Sequence, residues 1–206
     1  MEFIAPAGRG SSEIEVKKSR FIGTAAPAFS VEEAEAVLAD VAKRYGDASH
    51  HAFAYSIGSG TPVERLSDDG EPRGTAGYPI LEVIKKRGIR NVVCVVTRYF
   101  GGTLLGTGGL LRAYGRAATL ALDAAGTARY VYHRSIWATV EYDQFGKVQR
   151  ALESMEARVF DVSYEEKVRL KAYVRLDEVD FVIQRLKDLT AGKGIIIVED
   201  GTFIRK

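Results

Sequence analysis

Charged and apolar residues alternate over residues 13–18, Glu-Ile-Glu-Val-Lys-Lys, which predicts a strand with one face in water; residues 21–28 read as its partner. Ser30 followed by Glu33 has the spacing of a capping box and predicts a helix start. Ala34, Val37, Leu38, Val41, Ala42 and Tyr45 then fall on one helical stripe, and Gly46 stops it. Residues 52–57 read as a strand, and 66–74 as a turn-rich loop. Pro79 suits the first turn of a second helix running to Arg87, with Gly88 as its end. The unbroken apolar run 92–96 predicts a central strand. A glycine-rich loop follows, and a long helix spans about 108–125, closed by Gly126. Residues 1–12 contain Gly and Ser and read as loose.

Beyond Gly126 the pattern changes. Strand 136–142, helix 145–156, strands 159–162 and 167–176, helix 179–191 and a last strand opening at 195–198 give β-α-β-β-α-β, the ferredoxin-like order. The chain is therefore read as α+β, with a two-layer unit over residues 1–127 and a ferredoxin-like unit over 128–206.

Composition narrows the setting. Net charge is +2 across 206 residues, shared almost evenly between the two units, so nucleic-acid contact would need a local basic patch. No apolar run approaches the length of a membrane span. The first residues lack the basic and apolar stretches of a signal peptide. One cysteine, Cys94, excludes internal disulfides and reads as a small core residue in a reducing cytoplasm.

Two stretches carry the chemistry. Ser67-Asp68-Asp69-Gly70-Glu71-Pro72 puts three carboxylates in four positions, which repel unless cations or donors offset them. Asp-Gly and Glu-Pro are also turn dipeptides. Calcium-loop spacing is absent, and no metal or cofactor is expected. The reading favoured here is that Asp68 or Asp69 fastens this loop to the glycine loop or to an arginine. The second stretch runs from Arg98 and Tyr99 through Gly101, Gly102, Gly106, Gly108 and Gly109 to Arg112. It is neither a Walker A nor a dinucleotide fingerprint. Close packing is one reading of its glycines; an anion held by free N–H groups at the helix start is another. His50 and His51 must face opposite sides of their strand, so they cannot chelate one ion together. His50 with Asp68 or Asp69 would resemble an acid–base site, and Thr75 is a candidate hydroxyl without a visible base. Lys17-Lys18-Ser19-Arg20 and residues 85–90, joined to Arg98, Arg112, Arg116, Tyr99, Phe100 and Tyr114, would form a basic, aromatic surface suited to RNA.

These two stretches, together with residues 17–23, 48–55 and 91–99, resemble the YigZ/IMPACT family. The likeness is detailed over about 13–125 and rests on spacing beyond 130. Ala52 stands where the family often carries Cys, so a general thiol role is not implied. The resemblance implies an N-terminal domain like domain IV of elongation factor G and a C-terminal domain like domain V. Eukaryotic relatives act on the amino-acid starvation response by competing for a protein partner. For the bacterial two-domain branch the resemblance implies a translation-linked, non-catalytic protein contacting RNA, the ribosome or a factor on it. A small-ligand or enzymatic pocket between the acidic and glycine loops is the alternative.

Overall fold

The computed structural model describes residues 1–206. The chain divides into two compact units, Phe3–Arg129 and Tyr130–Lys206, the latter joined by Met1–Glu2.

The first unit is built on five strands: β2 (Gly10–Val16), β3 (Ser19–Pro27), β4 (His50–Ile57), β5 (Val63–Ser67) and β6 (Val92–Tyr99), in the order β2-β3-β6-β4-β5. Every neighbouring pair is antiparallel. Helices α1 (Val31–Arg44), α2 (Gly77–Lys86) and α3 (Thr107–Ala125) cover it. Here the two-layer expectation fails. Strands β3, β4 and β6 are apolar at successive positions, so both sheet faces must be covered. Val92, Cys94 and Val96 pack with Phe21, Ala25, Ala52 and Ala54 under α2 and α3. Val93 and Val95 pack with Ala26, Tyr55 and Ile57 under α1. The unit is thus three layers deep, with β6 at its centre.

Helix α3 lies close on β3. An ideal Cβ on Gly23 would come within 2.5 Å of the Ala117 carbonyl oxygen, so glycine is what lets the helix alanines touch the strand. The start of α1 differs slightly from a strict capping box. Ser30 Oγ accepts from the Glu33 N–H at 3.2 Å, but the Glu33 carboxylate takes the N–H of Phe29 at 2.7 Å, one residue early.

Residues 1–12 are not loose. Strand β1 (Glu2–Pro6) precedes β2, and Phe3 and Ala5 are buried. The Ala7 N–H donates to the Gly126 carbonyl at 3.1 Å, and the Ile4 carbonyl accepts from the Arg90 N–H at 2.8 Å. Two apolar side chains and these bonds outweigh the Gly/Ser content that suggests a loose segment. Strand β5 replaces the start of the turn-rich loop; its side chains are mostly exposed, so it lacks the burial that makes strands readable.

The second unit follows the β-α-β-β-α-β order with β7 (Thr127–Val140), α4 (Tyr142–Ser154), β8 (Arg158–Tyr164), β9 (Val168–Arg175), α5 (Val179–Leu189) and β10 (Ile195–Arg205). A 3₁₀ turn over Leu176–Glu178 enters α5. The five-stranded sheet has the order β1-β7-β9-β8, with β10 also paired to β7; the β10–β7, β7–β9 and β9–β8 pairs are antiparallel. Ile136, Ala138, Leu170 and Ala172 on the sheet pack against Val148 and Leu152 of α4 and Val182 and Leu186 of α5.

Candidate functional site

The three carboxylates of the acidic loop diverge. Asp68 turns to the start of α2, whose N-cap Ala76 offers no side-chain acceptor. One Asp68 oxygen accepts from Gly74 N–H at 2.7 Å; the other accepts from Ala76 at 3.0 Å and Gly77 at 2.9 Å. The first N–H groups of a helix lack intrahelical partners, and Asp68 supplies an acceptor from outside the helix. Burial alone would raise its pKa, but the N–H groups of Gly74, Gly77 and Ala76, with Arg73, outweigh it and hold the carboxyl below its ordinary value. Thr75 is buried in this turn and donates its hydroxyl to the Pro72 carbonyl at 2.7 Å.

Asp69 turns back onto β4. Its carboxylate accepts from the His51 N–H at 2.6 Å, and its carbonyl meets His50 Nδ1 at 2.7 Å. A carbonyl only accepts, so Nδ1 carries a proton in this bond. The ring's Nε2 lies 3.9 Å from Glu71 Oε1. His51 points to the opposite face, as its strand position requires, with Nδ1 3.0 Å from Thr97 Oγ1. There it borders a cavity of about 310 Å³, lined mainly by Leu38, Ala42, Phe53 and Val95 of α1 and the sheet.

Glu71, not Asp68 or Asp69, makes the link to arginine. Its Oε1 accepts from Arg98 Nη1 at 2.6 Å and from the Tyr114 hydroxyl at 2.7 Å. Arg98 is 5% exposed and lies 5.4 Å from the ring centres of both Phe21 and Phe100. Its other amino group donates to Ser19 Oγ at 3.3 Å, which also accepts from Gly101 N–H at 3.1 Å. Burial, then the bond to Glu71, push the Tyr114 hydroxyl far above its ordinary pKa, so it stays protonated and donates. The acidic loop, the end of β6, α3 and the first residue of the glycine loop are therefore tied at one buried point. Register explains the convergence: His50, Arg98 and Phe21 are direct cross-strand neighbours on β4, β6 and β3. Ser19 and Tyr114 give no sequence signal for this role.

Four of the five glycines of the second loop are accounted for by close packing or backbone conformation, Gly108 being the exception. An ideal Cβ on Gly101 would fall 2.1 Å from the Lys18 carbonyl carbon and oxygen. Gly102 and Gly106 adopt φ of +80° and +71°, where other residues are strained. Gly109 would press a Cβ against Leu105 at 3.0 Å. Gly108 has neither a left-handed φ nor a close neighbour, the nearest atom to its Cβ position being Arg112 Nη1 at 3.5 Å. None of these positions requires an anion to account for it.

The single basic surface does not form as expected. Arg98 is buried. Lys85 pairs with Glu64 and Arg87 with Asp123, both at 2.7 Å, while Arg90 donates to the Ser59 and Gly60 carbonyls. Near the glycine loop remain Lys17 and Lys18, which turn β2 into β3, and exposed Arg20, whose guanidinium sits 4.5 Å over the Tyr99 ring. Tyr99 in turn donates to Asp47 at 2.7 Å. Arg112 is exposed on the first turns of α3.

Fold and site together define a two-unit α+β protein whose N-terminal sheet is closed by a buried Glu71–Arg98–Tyr114 knot. Residues 17–122 match the family described as Impact N-terminal domain, and residues 139–193 match Domain of unknown function (DUF1949). The chain belongs to the IMPACT family. It is 36% identical to IMPACT family member YvyE of Bacillus subtilis, over 96% of this chain and 91% of that protein. It is 34% identical to IMPACT family member YigZ of Escherichia coli, over 92% and 94% respectively. Protein IMPACT of Rattus norvegicus is 32% identical, but over 51% of this chain and 34% of that protein. A solved structure of a hypothetical protein superposes with a TM-score of 0.68 at 33% identity, covering 95% of this chain and 96% of the other.

Proposed function

We propose that this protein is a non-catalytic, translation-linked regulatory binding protein. It contacts the ribosome, its RNA or a factor bound there through the surface made by the Lys17–Lys18 turn and the glycine loop. The observation that carries this reading is the close approach of Gly101 to the Lys18 backbone, which sets two exposed lysines beside exposed apolar side chains. Phe100 is 48% exposed and Leu104 82% exposed on that loop. Lysines reach phosphates, and an exposed ring stacks on a base or fills a partner's pocket. The resemblance to a family with eukaryotic members that regulate translation supports the same reading.

The acidic residues speak against acid–base catalysis. Asp68 holds three N–H groups, Asp69 holds one, and Glu71 Oε1 already accepts from Arg98 and Tyr114. These bonds give all three carboxylates structural partners, which is the ground for reading the loop as non-catalytic. No helix is long and apolar enough to cross a membrane.

Co-sedimentation with ribosomes tests the proposal. Wild-type protein should pellet with ribosomes at low salt, and the Lys17→Glu/Lys18→Glu variant should stay in the supernatant. Equal pelleting of the two would remove the lysine turn from the interface.

A further inference from the structure

The sheet of the second unit has helices on one face only, and its other face is chemically unusual. Along β9, Val168, Leu170, Ala172 and Val174 enter the core, leaving Arg169, Lys171 and Tyr173 on the open side. Trp137 of β7 stands directly across from Lys171. Strand β8 carries a bulge between Val159 and Asp161, and the extra residue is Phe160. A bulge re-aims a side chain, and this one lays a large apolar ring, 44% exposed, on the water side of the sheet. Phe160 stacks on Tyr173 with ring centres 4.1 Å apart and planes at 12°. The Arg169 guanidinium sits 4.2 Å from the Trp137 ring centre, and Lys171 Nζ sits 4.7 Å from it. Lys171 also reaches Phe160 at 5.6 Å. None of these three rings is needed to fill the core, which the aliphatic side chains close beneath them.

We propose that this open face, with Trp137, Phe160 and Tyr173 as its platform, binds single-stranded RNA. The site is separate from the lysine turn and glycine loop, and goes beyond the function proposed above. Each part of the face answers one part of the ligand. Flat rings on adjacent strands offer stacking surfaces to bases that a duplex would hide. Arg158 and Arg169, both exposed, and Lys171 are placed to meet the phosphates between successive bases. An arginine already lying over a ring also offers its guanidinium plane to a base. Two carboxylates share the face. Glu199 accepts from Trp137 Nε1 at 2.9 Å and pairs with Lys171 at 3.3 Å, and Asp161 lies across from Lys171. Carboxylates repel phosphate but accept a hydrogen bond from a ribose 2′-hydroxyl, which DNA lacks, and this commits the face to RNA.

Trp137 is the chain's one tryptophan, so its emission reports on this face without a label. The full chain is titrated with a short single-stranded RNA of mixed sequence. Emission should quench to saturation, because a base stacked on indole quenches it, and the apparent affinity should fall as salt rises. Phe160→Ser, at an exposed position, should weaken binding about tenfold, within the range of losing one base stack. Arg169→Gln should weaken it and reduce the salt slope by about one. The same sequence as DNA should bind at least several-fold more weakly, and a duplex should not quench. Thermal unfolding of both variants confirms that they are folded. A Lys17→Gln/Lys18→Gln variant should quench like the wild type, so failure of the N-terminal surface and failure of this one read out separately. RNA that leaves Trp137 emission unchanged, Phe160→Ser that binds like wild type, or DNA that binds as tightly as RNA would each overturn the proposal.

Discussion

Glu71 and Arg98 form an ion pair of 2.6 Å with side chains only 3% and 6% exposed. Such a pair loses hydration on both sides; further bonds come from Tyr114 and go to Ser19, while Arg98 Nε is left buried without a partner. Removing one partner leaves an uncompensated buried charge. Glu71→Ala should therefore lower unfolding stability by about 3–5 kcal/mol. Tyr114→Phe removes one hydrogen bond to a charged oxygen and should cost about 1.5–3 kcal/mol. Urea titration of each variant and of the double variant checks this. The two losses should not add, because both act on one oxygen.

Asp68 gives the stability a defined pH dependence. Its folded carboxyl has a pKa below the 3.8 of the free side chain. Near neutral pH both folded and unfolded chains carry the charge, and the full stabilisation by the α2 start is present. Below that ordinary value the unfolded chain takes up a proton while the folded one resists, so stability falls as pH drops towards the lowered folded value. Asp68→Ala should lose about 1–3 kcal/mol at pH 7 and show a shallower acid limb. Denaturation midpoints from pH 7 to pH 2 measure both.

The loop glycines should respond in opposite ways. Gly101→Ala forces a Cβ into the Lys18 backbone and should destabilise by more than about 1 kcal/mol, since backbone has no rotamer by which to yield. Gly108→Ala has room and a helical backbone, so it should be neutral or stabilise by up to about 1 kcal/mol. Thermal midpoints of the two variants decide the point.

Cys94 is fully buried in β6, and burial pushes its thiol up to about 12. It should resist alkylation at neutral pH in the folded protein and react at the rate of unfolding. Labelling at a native-state rate typical of an exposed thiol would contradict its placement.

Periodicity suffices for the helices and for β6. A stripe such as Ala34, Val37, Leu38 and Val41 fits little but a helix, and the run Val92–Val96 fits little but a buried strand. Periodicity fails where burial leaves little trace. Residues 1–12 pair as strands through backbone groups and two apolar side chains, and β5 is held at an exposed edge. The third layer is encoded in parity, not in run length: Val93 and Val95 face one way, Val92 and Cys94 the other. Within the site, the separation of His50 from His51 is legible from strand alternation. That Glu71 turns inward while Asp68 and Asp69 bond neighbouring backbone is not, because loop direction depends on the φ of +45° at Asp69 and the long-range partners Arg98 and Tyr114. The expected basic surface fails for a similar reason: sequence shows that Arg98 is charged, not that it is buried.

The Lys17–Lys18 turn and glycine loop are held to form a charge-dependent surface for the translation machinery, and the proposed regulatory function depends on it. Equilibrium binding to purified ribosomes across a salt series tests it most directly. Two or more lysine–phosphate contacts predict an affinity that falls about tenfold or more between roughly 50 and 200 mM monovalent salt, with a slope that flattens in Lys17→Gln/Lys18→Gln. Affinity that stays level across that range, with the same slope in wild type and variant, would contradict the claim.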